Sequence, residues 1–222
     1  VASPFDQSRY QVRLEWGVSG LDRLAASDVV VVVDVLSFST RVADRVAAGE
    51  SVRLADIMAA PRGTPDASVN GAAVAHHAHE QGAVVLVGCL RNAQAVAEAV
   101  LAAQVQRGAR TSVAVIAAGE LPPASDDGSR DPAVRFAVED LLGAGAVIDA
   151  LARLGLDHSS PEAAAACESF RGLSGAVRHL LTASGSGQEL AEAGRRDEVL
   201  HAAQANAVAS VPVLRDGVFV AA

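Results

Sequence analysis

Asp34 closes a run of five valines, Val29–Val33, and Ser37, Ser39, Thr40 and Arg41 follow it directly. Five consecutive β-branched apolar residues predict a strand buried on both faces of a parallel sheet, which puts the acid that ends it at the sheet rim. The hydroxyls then fall where the chain turns into a helix over Ser39–Ala48, so oxygen ligands and helix amide donors converge beside the acid. A second acidic pair, Glu139–Asp140, opens a long apolar-faced helix. Hard carboxylate oxygens of this kind suit magnesium, which needs only one or two of them and takes the rest from water and substrate. Asp34 with either Glu139 or Asp140 could therefore share one ion. The plainer role for each is a turn or helix-start acid. Arg91, one turn beyond a second predicted strand end, is placed to clamp a phosphate, with Asn92 beside it as cap and donor. Asn70-Gly71 could offer backbone amides to an anion, or be an ordinary turn. Charge neutralisation at phosphoryl oxygens, a positioned water and help for a leaving oxygen are what removing a phosphate requires.

Spacing argues against two other phosphatase chemistries. A cysteine phosphatase carries an arginine six positions after its thiolate, and that position after Cys89 is Ala95. An aspartyl-phosphate enzyme of the usual kind has a second aspartate two positions after the first, where this chain has Leu36. Water is thus the expected nucleophile. His76, His77 and His79 lack the i, i+4 pairing of a helical zinc site and read as a solvated helix face.

These residues need a frame of strands and helices. Val30–Val46 overlays Val84–Val100 at a constant offset, Asp34 falling on Gly88, and each copy is strand, tight turn and helix; two alanine- and valine-rich units would also match this well by chance. Gln11–Glu15 alternates like an edge or mixed strand, Ser51–Leu54 and Ser112–Ala117 read as strands, and Val211–Leu214 with Gly217–Val220 forms a hairpin around Asp216-Gly217. Helices are expected over Ala137–Leu154, Pro161–Phe170 with Ser160 as cap, Ser174–Leu181, Gln188–Ala193 and Asp197–Val208. Ala59–Ala67 and Leu121–Pro132 read as loops, the latter a candidate lid flanked by Glu120 and Arg135. The fold class that follows is α/β: one three-layer α/β/α domain over residues 1–222 with a mixed, largely parallel sheet and two similar βα halves.

Composition narrows the partners. The chain has 222 residues, a net charge of −8, and 18 basic residues that are all arginine. Any anion contact must then use guanidinium or backbone amides. The charge argues against nucleic acid, and the apolar runs are too short to cross a bilayer. The start, Val1–Gln7, does not read as a signal peptide, and the two cysteines, Cys89 and Cys167, suggest reduced thiols in a cytoplasm. Exposed alanine-rich helices could cover the sheet or pair across a homodimer.

Four blocks, in order, resemble the 2-phosphosulfolactate phosphatases: Val33-Asp34-Val35-Leu36-Ser37-Phe38-Ser39-Thr40, Asn70-Gly71, Gly88-Cys89-Leu90-Arg91-Asn92-Ala93, and Glu139-Asp140-Leu141-Leu142-Gly143-Ala144-Gly145-Ala146. The resemblance spans most of the chain. It implies an α/β/α magnesium-dependent phosphatase of a small phosphorylated sulfonate, a step known in coenzyme M synthesis. It also implies Asp34, Glu139 and Asp140 at the catalytic metal, with Ser37, Ser39, Thr40, Arg41, Asn70, Gly71, Arg91 and Asn92 around the substrate. There are departures. Family members often carry D-V-L-R-A-T-T-T where this chain has D-V-L-S-F-S-T-R, so Ser37 replaces an arginine that Arg41 could supply instead. The stretch between Leu54 and Ser68 is shorter than in the family. A catalytically silent relative that binds a small anionic metabolite is the alternative these departures suggest.

Overall fold

The computed structural model describes residues 3–36, 38–61, 64, 68–120 and 134–222. Ser37 and the candidate lid Leu121–Pro132 lie outside the described residues, as does most of the predicted loop Ala59–Ala67. Along the chain the elements are β1 (Val12–Trp16), α1 (Gly17–Arg23), β2 (Val29–Val33), α2 (Phe38–Ala47), β3 (Val52–Arg53), α3 (Leu54–Ala59), α4 (Asn70–Glu80), β4 (Val84–Gly88), α5 (Ala93–Arg107) and β5 (Val113–Ala117). Then come α6 (Val138–Arg153), α7 (Pro161–Leu173), α8 (Val177–Ala183), α9 (Gly185–Glu192), α10 (Arg196–Ala202), β6 (Pro212–Arg215) and β7 (Val218–Ala221).

Among the described residues seven strands join one mixed sheet in the order β1-β5-β2-β4-β6-β7-β3. The first four are mutually parallel and the last three pair antiparallel. The five-valine strand is central, and its side chains alternate between two cores: Val29, Val31 and Val33 pack with α5 and α6, Val30 and Val32 with α2 and α4. Helices therefore cover both faces, which is why every valine of β2 is buried. The two predicted βα copies put their helices on opposite faces, and the same offset carries Val31, on one face, onto Val85, on the other.

The small residues of α6 decide how closely that helix approaches the sheet. A Cβ on Gly143 would lie 2.5 Å from a Val35 methyl and 2.9 Å from one on Val33, so only glycine lets α6 settle against the end of β2. This contact delivers the acids at the start of α6 to the carboxyl ends of β2 and β5, the edge where open parallel sheets bind ligands.

Several boundaries differ from the pattern reading. α1 and α3 are too short to show a helical period and are held by the core through Leu21, Leu54 and Ile57. Asn70-Gly71 is not a turn but the first residues of α4. The last helix stops at Ala202 rather than Val208, because the amides of Asn206 and Val208 donate to the carbonyls of Leu90 and Arg91. The hairpin and the Ser160 cap stand as expected: Asp216 and Gly217 both take positive φ, and the Ser160 hydroxyl accepts from the Ala163 amide. Among the described residues no helix is long and apolar enough to cross a membrane.

Candidate active site

Asp34 emerges from β2 at the carboxyl edge and is held from three directions. Its amide donates to Ser39 Oγ at 2.9 Å, and its carbonyl accepts from the Ser39 amide at 2.8 Å, which ties the strand end to the first turn of α2. Its carboxylate accepts at Oδ2 from the Gly71 amide at 3.0 Å and from Ser68 Oγ at 3.3 Å. Gly71 belongs there because a Cβ would stand 2.7 Å from Asp34 Oδ2 and 2.5 Å from the Phe38 ring. Substituting Gly71→Ala is therefore expected to lower stability by roughly 1–3 kcal/mol, read as a fall in urea midpoint at constant m, with activity falling alongside. Asn70 completes this side, donating from Nδ2 to the Gly119 carbonyl at 2.7 Å.

Asp140 reaches out from the first turn of α6 and takes a backbone amide on each oxygen: Val35 N on Oδ1 at 2.7 Å and Gly119 N on Oδ2 at 2.9 Å. It thus stitches together the chain leaving β2 and the chain leaving β5. Burial, then Asp34 and Glu139, push its carboxyl well above the usual range, opposed by the two amide donors. Asp34 is raised to about 7, chiefly by burial, with the charges of Glu120 and Glu139 adding to it. Asp34 and Asp140 thus lie on separate elements at one strand edge, with the charge of Asp34 acting on Asp140.

Two further residues join them that spacing did not single out as ligands. Ser186, in the first turn of α9, places its Oγ against one oxygen of Glu139, at 2.5 Å, and against one oxygen of Glu120. A hydroxyl carries one proton and can donate to only one of two carboxylates. Glu120 is raised by burial and by its neighbours Glu139 and Glu189. Around this trio lies a cavity of about 230 Å³, lined by Glu120, Arg135, Phe136, Glu139 and the start of α9. Neither Ser-Gly-Ser-Gly at 184–187 nor a single glutamate after a strand carries a periodic signal, so only the fold brings them together.

The remaining candidates occupy other places. Ser39 is fully buried and spends its hydroxyl on Asp34 N and the Val32 carbonyl, so it shapes the turn. Thr40 Oγ1 donates to the Val35 carbonyl at 2.9 Å. Asn92 is also fully buried: its side-chain oxygen accepts from Cys89 N and its amide nitrogen donates to the Val87 and Ser210 carbonyls. That closes the β4–α5 turn and leaves no surface for a ligand. Arg91, expected as the clamp, is 5% exposed and bonds Asp44, the His201 carbonyl and Gln204, docking α10 against α2. Arg41 pairs with Glu198 at 2.7 Å. Arg41, Thr40, Asp44, Glu198 and His201 line a second cavity of about 250 Å³ beside Val35 and Leu36.

The surroundings of Cys89 fit its exclusion as a nucleophile. Cys89 is fully buried and its thiol is pushed up to about 11 by that burial, which leaves too little thiolate for nucleophilic attack at neutral pH. His77 joins Asp22 at 2.6 Å and so ties α4 to α1, while His76 faces solvent near Glu80. Among the described residues no three His, Cys, Asp or Glu side chains are gathered as a ready metal cage.

A family model described as 2-phosphosulpholactate phosphatase matches residues 67–217 of the chain, well over half of it. The chain belongs to that phosphatase family. The match takes in Asn70-Gly71, Gly88–Ala93, Glu120, Arg135, Glu139–Ala146 and Ser186, while the Asp34 block precedes it. A search of curated proteins found no match.

Proposed function

We propose that the chain is a magnesium-dependent phosphomonoester hydrolase that cleaves 2-phosphosulfolactate, or a closely related small phosphorylated acid, to the alcohol and phosphate. One observation carries this reading: in a chain of this family, Glu120 and Glu139 share the Ser186 hydroxyl in the wall of an open cavity, with their charges acting on the buried Asp34 that ends β2.

The donor chemistry fits magnesium, which needs one or two hard carboxylates and completes its shell with water and substrate. Asp34 and Glu139 are the side chains that would hold the ion. Asp34, raised to about 7 by burial and by like charge, is a group whose ionisation gains from a neighbouring cation. Asp140 has both oxygens committed to Val35 N and Gly119 N, so its part is to position rather than to bind. Glu120 and Ser186 fix the direction of Glu139. When bound, the ion would supply charge neutralisation at the phosphoryl oxygens and acidify an attacking water. The chain's own residues orient that water and the phosphoryl group against a buried, preorganised wall.

The test is phosphate release from 2-phosphosulfolactate by the purified protein with magnesium and with EDTA. Turnover that appears with magnesium and disappears with EDTA is expected. Binding of the substrate without release under any metal condition would favour the catalytically silent relative instead.

A further inference from the structure

We propose that Arg135 is the residue that grips the phosphoryl oxygens of the substrate. This rests on the reading of the Glu120–Glu139 cavity as the phosphatase centre. A dianionic phosphate entering that cavity meets Glu120 and Glu139, so it needs cationic partners beyond a single divalent ion. Arginine offers a planar fork of N–H donors that matches phosphate oxygens. The chain has no lysine to take the role.

Among the described residues three arginines stand near the rim, and the fold uses two of them elsewhere. Arg91 is buried on Asp44, His201 and Gln204, and Arg41 is bridged to Glu198. Arg135 is exposed and lines the same cavity as Glu120, Glu139 and Ser186. Its backbone is pinned: Glu120 N donates to the Arg135 carbonyl at 2.9 Å and Arg135 N to the Glu120 carbonyl at 2.7 Å. Its head lies over the first residue of α9, with Nη2 3.2 Å from where a Cβ on Gly185 would stand. Gly185 thus leaves the guanidinium room to lie across the mouth. Next along the chain, the Phe136 ring packs on Trp16 with centroids 5.2 Å apart, which fixes the segment that carries Arg135. A rooted backbone and an accessible cationic head beside the carboxylates are what a phosphate-gripping side chain requires.

The experiment measures phosphate affinity by calorimetry, together with steady-state kinetics on 2-phosphosulfolactate, for wild type, Arg135→Gln, Arg135→Lys and Arg135→Ala, all with magnesium. Loss of a charged hydrogen-bonding partner is expected to weaken inorganic phosphate binding and raise KM by roughly 10- to 100-fold in Arg135→Gln. Arg135→Lys should recover part of this. Because the side chain is exposed, the unfolding midpoint should stay close to wild type, and guanidinium ion added to Arg135→Ala should restore activity, which a merely structural role would not allow. Phosphate affinity in Arg135→Gln equal to wild type would overturn the inference. Wild type that binds phosphate but never releases it from the ester would overturn the hydrolase reading instead, and a loss of phosphate binding in Arg135→Gln would still support the assignment of Arg135.

Discussion

Asp34→Asn is expected to reduce magnesium-dependent turnover at least about 100-fold while raising the melting temperature at pH 8. The two effects share a cause. Burial and the nearby Glu120 and Glu139 hold the Asp34 carboxyl at about 7 in the folded chain, against 3.8 as its ordinary value. Between those values the native state binds a proton that the unfolded chain has released, so stability falls as pH rises from about 4 to 7 and stays low above. Asp140 and Glu120 are raised as well and act in the same sense. Glu198, drawn down to about 2 chiefly by its hydrogen bond to Arg195, acts oppositely: its contribution is present above pH 4.5 and lost as pH falls toward 2. The metal-free protein should therefore be most stable near pH 4. At pH 8 an uncharged amide at position 34 removes a penalty on the order of a few kcal/mol, since each pKa unit corresponds to about 1.4 kcal/mol. It can still accept from the Gly71 amide. For a chain of this length the gain should appear as a rise of roughly 5–10 °C in Tm at pH 8, shrinking to near zero at pH 4. Scanning calorimetry at both pH values checks it; a lower Tm at pH 8 would mean that Asp34 is not strained by its neighbours.

Asp140→Asn should move stability the other way, by about 2–4 kcal/mol. The carboxylate accepts from two backbone amides, one on each oxygen. An asparagine has one acceptor oxygen and one NH2 group, so in either orientation an N–H donor is left facing the amide of Val35 or of Gly119. Both amides lie in buried turns and have no water to turn to. The Gly119 turn carries Glu120, so turnover should fall too. Both acids carry the charge penalty of burial, so opposite stability changes for the same formal substitution isolate the two backbone hydrogen bonds that Asp140 accepts, one on each oxygen. Urea unfolding at pH 8 reads both, as midpoints at constant m.

Where side chains determine their own surroundings, the fold was legible in the sequence. Val29–Val33 could only be a strand covered on both faces, and Asp216-Gly217 between two alternating runs could only be a tight hairpin. The placement of Asp34 and of the Glu139–Asp140 pair was legible for the same reason: the acid follows a buried strand, and the pair opens the helix that packs on it. What the pattern could not show is which partners the folded chain brings from far away. Arg91 does sit one turn past a strand end, yet Asp44 and the end of α10 claim its guanidinium, and nothing local to Arg91 announces them. Ser186 lies 66 residues from Glu120 and 47 from Glu139, in a glycine-rich turn with no period. The short helices α1 and α3 form because the core accepts their few apolar residues, a tertiary effect that propensity does not contain.

Crystals of the protein soaked with manganese and inorganic phosphate would test the site most directly, through the anomalous density of the metal. The expected result is a single strong peak within coordination distance of Asp34 and Glu139, with phosphate between it and the Arg135 guanidinium. Manganese bound only elsewhere, with Asp34 still enclosed by Gly71 and Ser68 and no density beside Glu139, would contradict a phosphatase centre at this edge of the sheet.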